Sequence, residues 1–265
     1  MRHSERLDSV LQNRDWPAEA FINGVYVPHV RQLPTVLPHR ADPYEHVLDT
    51  PLSRYGKDHA KRTGEFFRSL NLIPDQVYTS PAMRCIQTAD SVLQGCGNRR
   101  NIPLKIDLAL HEPVRRELPL QSANFFASAG FNVDLYYQPT FPSNDSRLIY
   151  GETRLDYFRR THFVLKRIID RLLTRGRKGL SFSPPTVLIV THRASVTLLA
   201  SMLNLDDVDD KLTYLIELEN NKRNEVNFLS MIVAEYDASI GLWTFISDFA
   251  QMRKTRRNYY WSLQL

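Results

Sequence analysis

The chain has 265 residues, of which 43% are apolar and 24% are charged, and its formal net charge is +5. These values exclude wholesale disorder, and the length is sufficient for one large α/β domain with a substantial core. No stretch reaches the roughly 18 apolar residues that a membrane helix needs, and no apolar signal core opens the sequence. We therefore expect one cytoplasmic domain, residues 1–265, whose two cysteines, Cys85 and Cys96, are reduced and structural.

The basic charge raises the alternative of nucleic-acid binding, because cationic chains attract polyanions regardless of sequence. Basic residues are spread along the chain, with one dense cluster at Arg253, Lys254, Arg256 and Arg257. Such a terminal segment is more typical of a solvated tail or a docking strip than of a specific nucleic-acid site. Neither nucleic acid nor a membrane is therefore expected among the partners.

The first part of the chain predicts an irregular surface insertion followed by a helix. Repeated prolines interrupt any helical period in residues 13–49, and Pro38-His39-Arg40 is expected to add positive charge to that surface. Ser53 is a suitable cap for the helix that follows. The apolar face of this helix, at Ala60, Gly64, Phe67 and Leu70, is expected to pack on a sheet.

A short strand at residues 76–78 leads into a second helix, for which Ser80 suits the cap and Pro81 the first turn. This helix would direct its free N–H groups and its positive dipole end toward the carboxyl edge of the sheet, where anions bind. Arg84 lies in the first turn. On its own, Arg84 fits a surface residue as well as an anion ligand.

The remaining elements alternate between strands and helices. Strands are predicted at residues 104–108 and 186–190, helices at 152–173 and 194–205, and a closing hairpin at 226–235 and 242–247. This order predicts an α/β layered sheet, partly parallel, with ligands at the carboxyl ends of its strands.

A second irregular insertion, residues 113–151, contains an aromatic cluster. The cluster either forms a local core or lines the mouth of a site for an apolar or aromatic substrate. Its members are Phe125, Phe126, Phe131, Tyr136, Tyr137 and Phe141.

Histidines and arginines in two segments that are distant in the sequence suit a phosphate site. Arg2, His3 and Arg6 lie within a few residues of each other, and His192 directly follows the strand at 186–190. An imidazole attacks phosphorus as a nucleophile, while guanidinium groups bind the non-bridging oxygens in a bidentate manner.

The motifs together resemble the histidine phosphatase superfamily, also called phosphoglycerate mutase-like. The resemblance extends over nearly the whole chain and implies a three-layer α/β/α sandwich with a mostly parallel central sheet. Three segments, at residues 2–8, 49–53 and 130–142, narrow it to the branch of the suppressor of T-cell receptor signalling and ecdysteroid-phosphate phosphatases. The main motifs are Arg2-His3, Ser80-Pro81-x-x-Arg84-x-x-Gln87-Thr88-Ala89, Glu112 and Val190-Thr191-His192.

The resemblance implies a role for each residue of the site. His3 is the expected nucleophile, Glu112 the general acid, and His192 a group that stabilises charge in the transition state. No metal or cofactor is implied, and the expected partners are a phosphorylated substrate and a second copy of the chain in a homodimer. The phosphate oxygens are expected to be bound by Arg2, Arg6 and Arg84.

This sequence departs from the family pattern in two residues and at its start. Ser4 and Arg193 stand where the family usually has glycine, which permits positive φ or a close approach of other backbone. Ser4 is small enough to be tolerated, whereas Arg193 either adds charge to the rim of the pocket or crowds it. Only Met1 precedes Arg2-His3, where the family has a central strand. We therefore expect that strand to be truncated and the true N-terminus to lie upstream.

The leading hypothesis is a metal-independent phosphatase that forms a phosphohistidine on His3 and hydrolyses a phosphotyrosine protein or a steroid or other small-molecule phosphate. A first alternative is a sugar-phosphate mutase or bisphosphatase of the same superfamily, which would share the site. A second alternative, suggested by Ser4, Arg193 and the short N-terminus, is a catalytically impaired pseudophosphatase that serves as a binding or scaffold protein.

Overall fold

The computed structural model describes residues 1–12, 14–176, 185–222, 226–237 and 239–245. The predicted basic tail at residues 253–257 lies outside these ranges. The strands are β1 (Phe21–Ile22), β2 (Val25–Tyr26), β3 (Gln76–Thr79), β4 (Leu104–Ile106), β5 (Val187–Val190), β6 (Ala234–Asp237) and β7 (Leu242–Phe245). The helices are α1 (Leu7–Val10), α2 (Trp16–Ala20), α3 (Glu45–Leu48), α4 (Arg54–Ser69), α5 (Met83–Cys96), α6 (Ala123–Ser128), α7 (Arg154–Gly176), α8 (Arg193–Ser201) and α9 (Leu212–Lys222).

The central sheet has the order β4-β3-β5, and both of its strand pairs are parallel. Beyond β5, Arg2 forms a parallel bridge with Thr191. The backbone N–H of Thr191 donates to the carbonyl of Met1, and the N–H of Arg2 donates to the carbonyl of Ser230. A short extended segment thus lies between β5 and residues 229–230, at the place where we expected a truncated first strand.

Helices cover both faces of the sheet. Because side chains alternate along a strand, Val77, Ile106 and Val190 face α5 on one side. Tyr78 and Ile189 face the opposite side, where they pack with α7. The predicted three-layer α/β/α architecture is confirmed.

Helices α4 and α5 approach each other closely enough for their backbones to touch. A Cβ atom added at Gly64 would lie 1.9 Å from the carbonyl oxygen of Val92, and one added at Gly95 would lie 1.9 Å from that of Lys61. The apolar face of α4 therefore packs chiefly on α5, where we expected direct packing on a sheet.

The first insertion is more ordered than its prolines predict. It contains α2, the β1–β2 hairpin and α3, and residues such as Trp16 and Leu33 form a small core with Leu7 of α1. The prediction that Arg40 adds surface charge is wrong. Its side chain is fully buried and forms an ion pair with the equally buried Asp49, at 2.6 Å.

The aromatic cluster of the second insertion divides into two groups. Phe126 is fully buried and packs with Phe125 and Phe131 on the α5 side of the sheet. Tyr137 and Phe141 pack with the α7 side, whereas Tyr136 is exposed. Most of the cluster thus belongs to the cores on the two faces of the sheet, whereas we expected either a local core of the insertion or the mouth of a site.

The remaining elements are present, but their bounds differ from the predicted ones. The closing hairpin consists of β6 and β7, and its first strand begins at Ala234, eight residues later than predicted. The predicted helix at 152–173 is α7. Strand β4 ends at Ile106 because Asp107 caps the short 3-10 helix Leu108–Leu110. Cys85 and Cys96 are free and buried, as expected. None of the helices in the described segments has the length and hydrophobicity needed to cross a bilayer.

Candidate active site

The six predicted site residues lie together at the carboxyl end of the parallel strands. The chain leaves β3, β4 and β5 at this edge, and α5 and α8 begin here. A cavity of about 380 Å³ opens at this edge, and Arg84 and His192 lie behind its Glu112 wall. The cavity is lined by Arg2, His3, Arg6, Glu112, Arg193 and Ala194.

His3 has an imidazole that is buried and held in one tautomer. Its Nδ1–H donates to the carbonyl oxygen of Ser4 at 2.9 Å, which leaves the lone pair on Nε2. Burial, together with the positive charge of Arg84, holds the pKa of His3 well below its usual value. The ring is therefore neutral at neutral pH and has a free nucleophilic nitrogen.

Arg2 is oriented by a segment far away in the sequence. Its Nη1 donates to the carbonyl oxygen of Val226 at 2.8 Å, and its guanidinium lies 4.1 Å from the ring centre of Phe228. Burial and the nearby charges of Arg193 and Arg6 lower the pKa of Arg2 to about 10, so it stays cationic at neutral pH. Arg6 forms an ion pair with Asp8 at 3.0 Å and remains partly exposed.

Arg84, Glu112 and His192 form a compact triad. The Arg84 Nη2 group donates to Glu112 Oε1 at 2.7 Å and to His192 Nδ1 at 3.0 Å. Because a guanidinium nitrogen only donates, His192 Nδ1 acts as the acceptor and the proton of His192 is on Nε2. That Nε2–H donates to Ser80 Oγ at 2.8 Å.

The triad sets the charges of its members. Burial lowers the pKa of His192 to about 4, although Glu112 acts in the opposite direction, so the ring is neutral at neutral pH. Burial raises the pKa of Glu112, but the Arg84 guanidinium that donates to Oε1 outweighs this effect and holds that pKa well below its usual range. Glu112 is therefore a carboxylate in this arrangement.

Ser80 is not the cap residue of α5, contrary to the sequence prediction, because the helix begins after Ala82. The Ser80 hydroxyl accepts from His192 at 2.8 Å and, at 3.4 Å, from the N–H of Ala82. The N-terminus of α5 is instead capped by Asp49, whose Oδ1 accepts from the N–H of Met83 at 2.8 Å. The other oxygen of Asp49 binds Arg40. The helix that carries Arg84 is thus fixed by a buried ion pair.

Two residues of the central motif hold other parts of the site in place. Thr88 Oγ1 accepts from the N–H of Ser4 at 2.9 Å and donates to the carbonyl of Arg84 at 2.7 Å. Gln87 Oε1 accepts from the N–H of Leu52 at 2.7 Å. We assigned neither residue a role from the sequence, although their positions three and four residues after Arg84 place them on its face of the helix.

His111 and Phe228 also contact the site, and neither was predicted from the sequence. The ring of His111 lies 4.6 Å from that of His192, and its Nδ1–H donates to the carbonyl of Glu112 at 2.8 Å. Phe228 lies against both His3 and Arg2. Proximity to Glu112 in the sequence could have identified His111, whereas no sequence signal identifies Phe228.

The two departures from glycine do not distort the site. Positive φ among the described residues other than glycine occurs at Asn23, Asn71 and Leu229, so neither Ser4 nor Arg193 adopts it. Ser4 is fully buried, and Arg193 is the exposed first residue of α8. Ser4 is thus accommodated, as expected, and Arg193 adds charge at the rim of the cavity.

Within the described part of the chain, no group of three or more His, Cys, Asp or Glu side chains is placed to hold a metal ion. A larger groove of about 760 Å³ lies between α7 and residues 134–138. Its walls include Tyr136 and Tyr137 and none of the six predicted site residues, so we place the chemistry in the smaller cavity.

Comparison with known proteins gives a consistent result. The family model of the histidine phosphatase superfamily (branch 1) matches residues 39–229. The human ubiquitin-associated and SH3 domain-containing protein B is 30% identical over 202 residues, which cover 74% of this chain and 29% of that protein. The ecdysteroid-phosphate phosphatase of Bombyx mori is 29% identical over 224 residues, which cover 82% of this chain and 32% of that protein. The chain thus spans about a third of the length of these relatives.

The crystal structure of the ecdysone phosphate phosphatase of Bombyx mori, in complex with tungstate, is also similar. It superposes with a TM-score of 0.77 at 25% sequence identity and covers 94% of this chain and 90% of that one. The phosphoglycerate mutase-like fold is therefore shared over nearly the whole chain.

Proposed function

The chain belongs to the histidine phosphatase superfamily, and on this premise we propose that it hydrolyses phosphomonoesters through a phosphohistidine on His3. One observation carries the proposal. The neutral imidazole of His3 has its Nε2 free and lies in a cavity lined by arginines. Phosphoryl transfer requires mainly this combination of an aligned nucleophile and positive charge around the phosphate oxygens.

In the first step, the phosphate oxygens bind Arg2, Arg6 and Arg84. His3 Nε2 attacks phosphorus, the bond to the ester oxygen breaks, and protonated Glu112 transfers its proton to the departing oxygen. In the second step, Glu112 accepts a proton from a water molecule that attacks the phosphohistidine. Inorganic phosphate is released and His3 is regenerated.

Substrate binding must open the ion pair between Arg84 and Glu112. The phosphate competes with the carboxylate for the guanidinium, and its negative charge then disfavours a second negative charge on Glu112. Both effects raise the pKa of Glu112, so that the carboxyl group can hold the proton that the leaving group needs. His192, tied to Ser80, keeps Arg84 aligned during this exchange.

The substrate is proposed to be a phosphotyrosine protein or a steroid or other small-molecule phosphate. One relative is named as an ecdysteroid-phosphate phosphatase, and the similar crystal structure holds tungstate, a tetrahedral oxyanion like phosphate. The polar cavity accepts the phosphate in either case and does not by itself select the alcohol.

The test is phosphate release from p-nitrophenyl phosphate by the wild type and by a His3→Ala variant. We expect the variant to lose at least about a thousandfold in kcat and to form no acid-labile phosphoenzyme. His39→Ala, which changes an exposed histidine, is the matched control.

Each alternative predicts a different result. A mutase would convert a sugar phosphate to its isomer faster than it releases free phosphate. A pseudophosphatase would release none from any ester. Turnover by His3→Ala at the wild-type rate would overturn the assignment of the nucleophile.

A further inference from the structure

Arg193 is a cation at the mouth of the cavity that the proposed reaction does not use. It begins α8 directly after His192, its side chain is exposed, and it lines the cavity together with Arg2, Arg6 and Glu112. Its charge is close enough to Arg2 to lower the pKa of that guanidinium, second only to the effect of burial.

The other arginines of the site already have partners. Arg84 is paired with Glu112, and Arg6 with Asp8. Arg2 donates to the carbonyl of Val226. Arg193, in contrast, has no ion pair or hydrogen bond to any side chain that the structure describes.

The charges of the cavity leave Arg193 unmatched even with substrate bound. Arg2, Arg6, Arg84 and Arg193 bring four positive charges to the site, and Asp8, which pairs with Arg6, offsets one of them. In the proposed mechanism Glu112 is protonated when substrate is bound, so the phosphate dianion offsets two more. One positive charge then remains for the exposed Arg193.

We propose that Arg193 binds a second anionic group of the substrate, so that the preferred substrates are phosphomonoesters with a carboxylate or a further phosphate close to the scissile group. This inference rests on the proposed function. The second anion can belong to an acidic residue beside a phosphorylated side chain or to a small molecule. An uncharged skeleton, such as that of a steroid, would gain nothing from this contact.

The experiment compares esters that differ only in this charge. The small-molecule pair is 3-carboxyphenyl phosphate and 3-carbamoylphenyl phosphate, and the peptide pair has glutamate or glutamine next to a phosphotyrosine. We expect the wild type to show a roughly tenfold higher kcat/KM for the acidic member, as charge-assisted hydrogen bonds allow. The pair with the larger preference identifies the source of the second anion.

Variants separate Arg193 from general electrostatics. Arg193→Gln should lose most of the preference, and Arg193→Lys should retain part of it. Arg62→Gln, which removes an exposed charge from α4, should retain all of it. High salt should weaken the preference, because the group at the mouth is solvent-exposed.

The outcomes also distinguish the two proposals. Hydrolysis of both members with equal kcat/KM, or a preference that survives in Arg193→Gln, would overturn the role of Arg193 and leave the phosphatase proposal intact. Absence of all hydrolysis would overturn the phosphatase proposal. In that case binding still tests Arg193. Calorimetry would measure the Kd of the His3→Ala protein for 3-carboxyphenyl phosphate and for 3-carbamoylphenyl phosphate, and equal Kd values would refute the role of Arg193.

Discussion

At Glu112, the same carboxylate is required for two different states of the site. It forms an ion pair with Arg84 in the arrangement described above, and in the proposed mechanism it carries a proton when the leaving group departs. Its side chain is 34% exposed to the cavity, so an incoming phosphate can reach the pair. Substrate binding and protonation of Glu112 are therefore coupled through the guanidinium of Arg84.

This coupling predicts the behaviour of Glu112→Gln. The amide cannot donate the proton, so kcat/KM for alkyl phosphates should fall by about 10²–10⁴, and less for p-nitrophenyl phosphate, whose leaving group needs little protonation. Inorganic phosphate should also inhibit more tightly, because the neutral amide competes less for Arg84. Steady-state kinetics over a series of leaving groups measures both effects.

Glu117→Gln, at an exposed position in the same loop, is the control and should change neither quantity. Equal losses across all leaving groups would contradict the role of Glu112 as the acid.

Some residues of the site could be predicted from sequence and others could not. Motif spacing and the family resemblance identified Arg84 as a site residue. Its position in the first turn of a helix alone fits a surface residue equally well. Ser80 was misassigned because the preference of serine for helix caps is a local rule, whereas its actual partner, His192, is 112 residues away. Arg40 was misplaced for the same reason, since burial beside Asp49 depends on how the insertion folds.

Among the elements, α5 contributes most to the site, because it carries Arg84 and Thr88 and starts at the edge of the cavity. Its first turn depends on Asp49, which also neutralises the buried Arg40. Loss of Asp49 would leave the N–H of Met83 without its acceptor, and the buried Arg40 would keep only the more distant Glu45, at 3.8 Å, as a carboxylate partner. The stability of the fold and the alignment of Arg84 therefore depend on the same carboxylate.

We expect Asp49→Ala to lower the free energy of unfolding by about 3–5 kcal/mol, the usual cost of breaking a buried pair. Urea denaturation measures this loss, and phosphate affinity should fall with it as Arg84 loses its alignment. The double variant Arg40→Met/Asp49→Leu should be less destabilised, because no buried charge is left unpaired.

The exposed pair of Arg159 and Asp209 offers the control, since Arg159→Ala should cost no more than about 1 kcal/mol. If the single and double variants at the buried pair were equally destabilised, the argument from an unpaired charge would be wrong.

The long elements were predictable and the short ones were not. Helices α4 and α7 have enough turns for an apolar period to be recognised, and β5 is a continuous apolar run. Helix α2 and the β1–β2 hairpin have too few residues for any period. They are stabilised by a core to which residues distant in the sequence contribute, and single-segment patterns do not contain that information.

For the molecule as a whole, buried imidazoles make the free energy of unfolding depend on pH. Burial lowers the pKa of both His46 and His192 to about 4, and it also lowers that of His3 and His111. In the unfolded chain these groups bind protons below about pH 6.5. Between that pH and about 4, the unfolded state holds more protons than the folded state, so stability decreases as the pH falls.

Urea unfolding at pH 7.5, 6 and 5 should show this decrease. Each of the two histidines with a pKa of about 4 contributes up to about 3 kcal/mol over the full window. His46→Gln should flatten the slope even if it lowers stability at pH 7.5, whereas the exposed His39→Ala should not. An unchanged slope in His46→Gln would contradict this explanation.

The three-layer architecture follows from the alternation of strands and helices, but the contacts of the N-terminal segment with residues 226–230 do not. The N–H of Arg2 donates to the carbonyl of Ser230, and the guanidinium of Arg2 is oriented by Val226 and Phe228. Contacts between segments this far apart in the sequence leave no periodic pattern in it. The orientation of Arg2 in the cavity wall was therefore not predictable from the sequence.

The contact between Gly64 and Gly95 has a consequence for how the protein tolerates variation. Alanine in place of a mid-helix glycine usually stabilises a helix by about 1 kcal/mol, but here each added methyl group would collide with the backbone of the facing helix. In a saturation-mutagenesis map, both of these positions should thus reject every replacement. Because displacement of α5 carries Arg84 with it, these variants should lose activity although neither glycine lines the cavity.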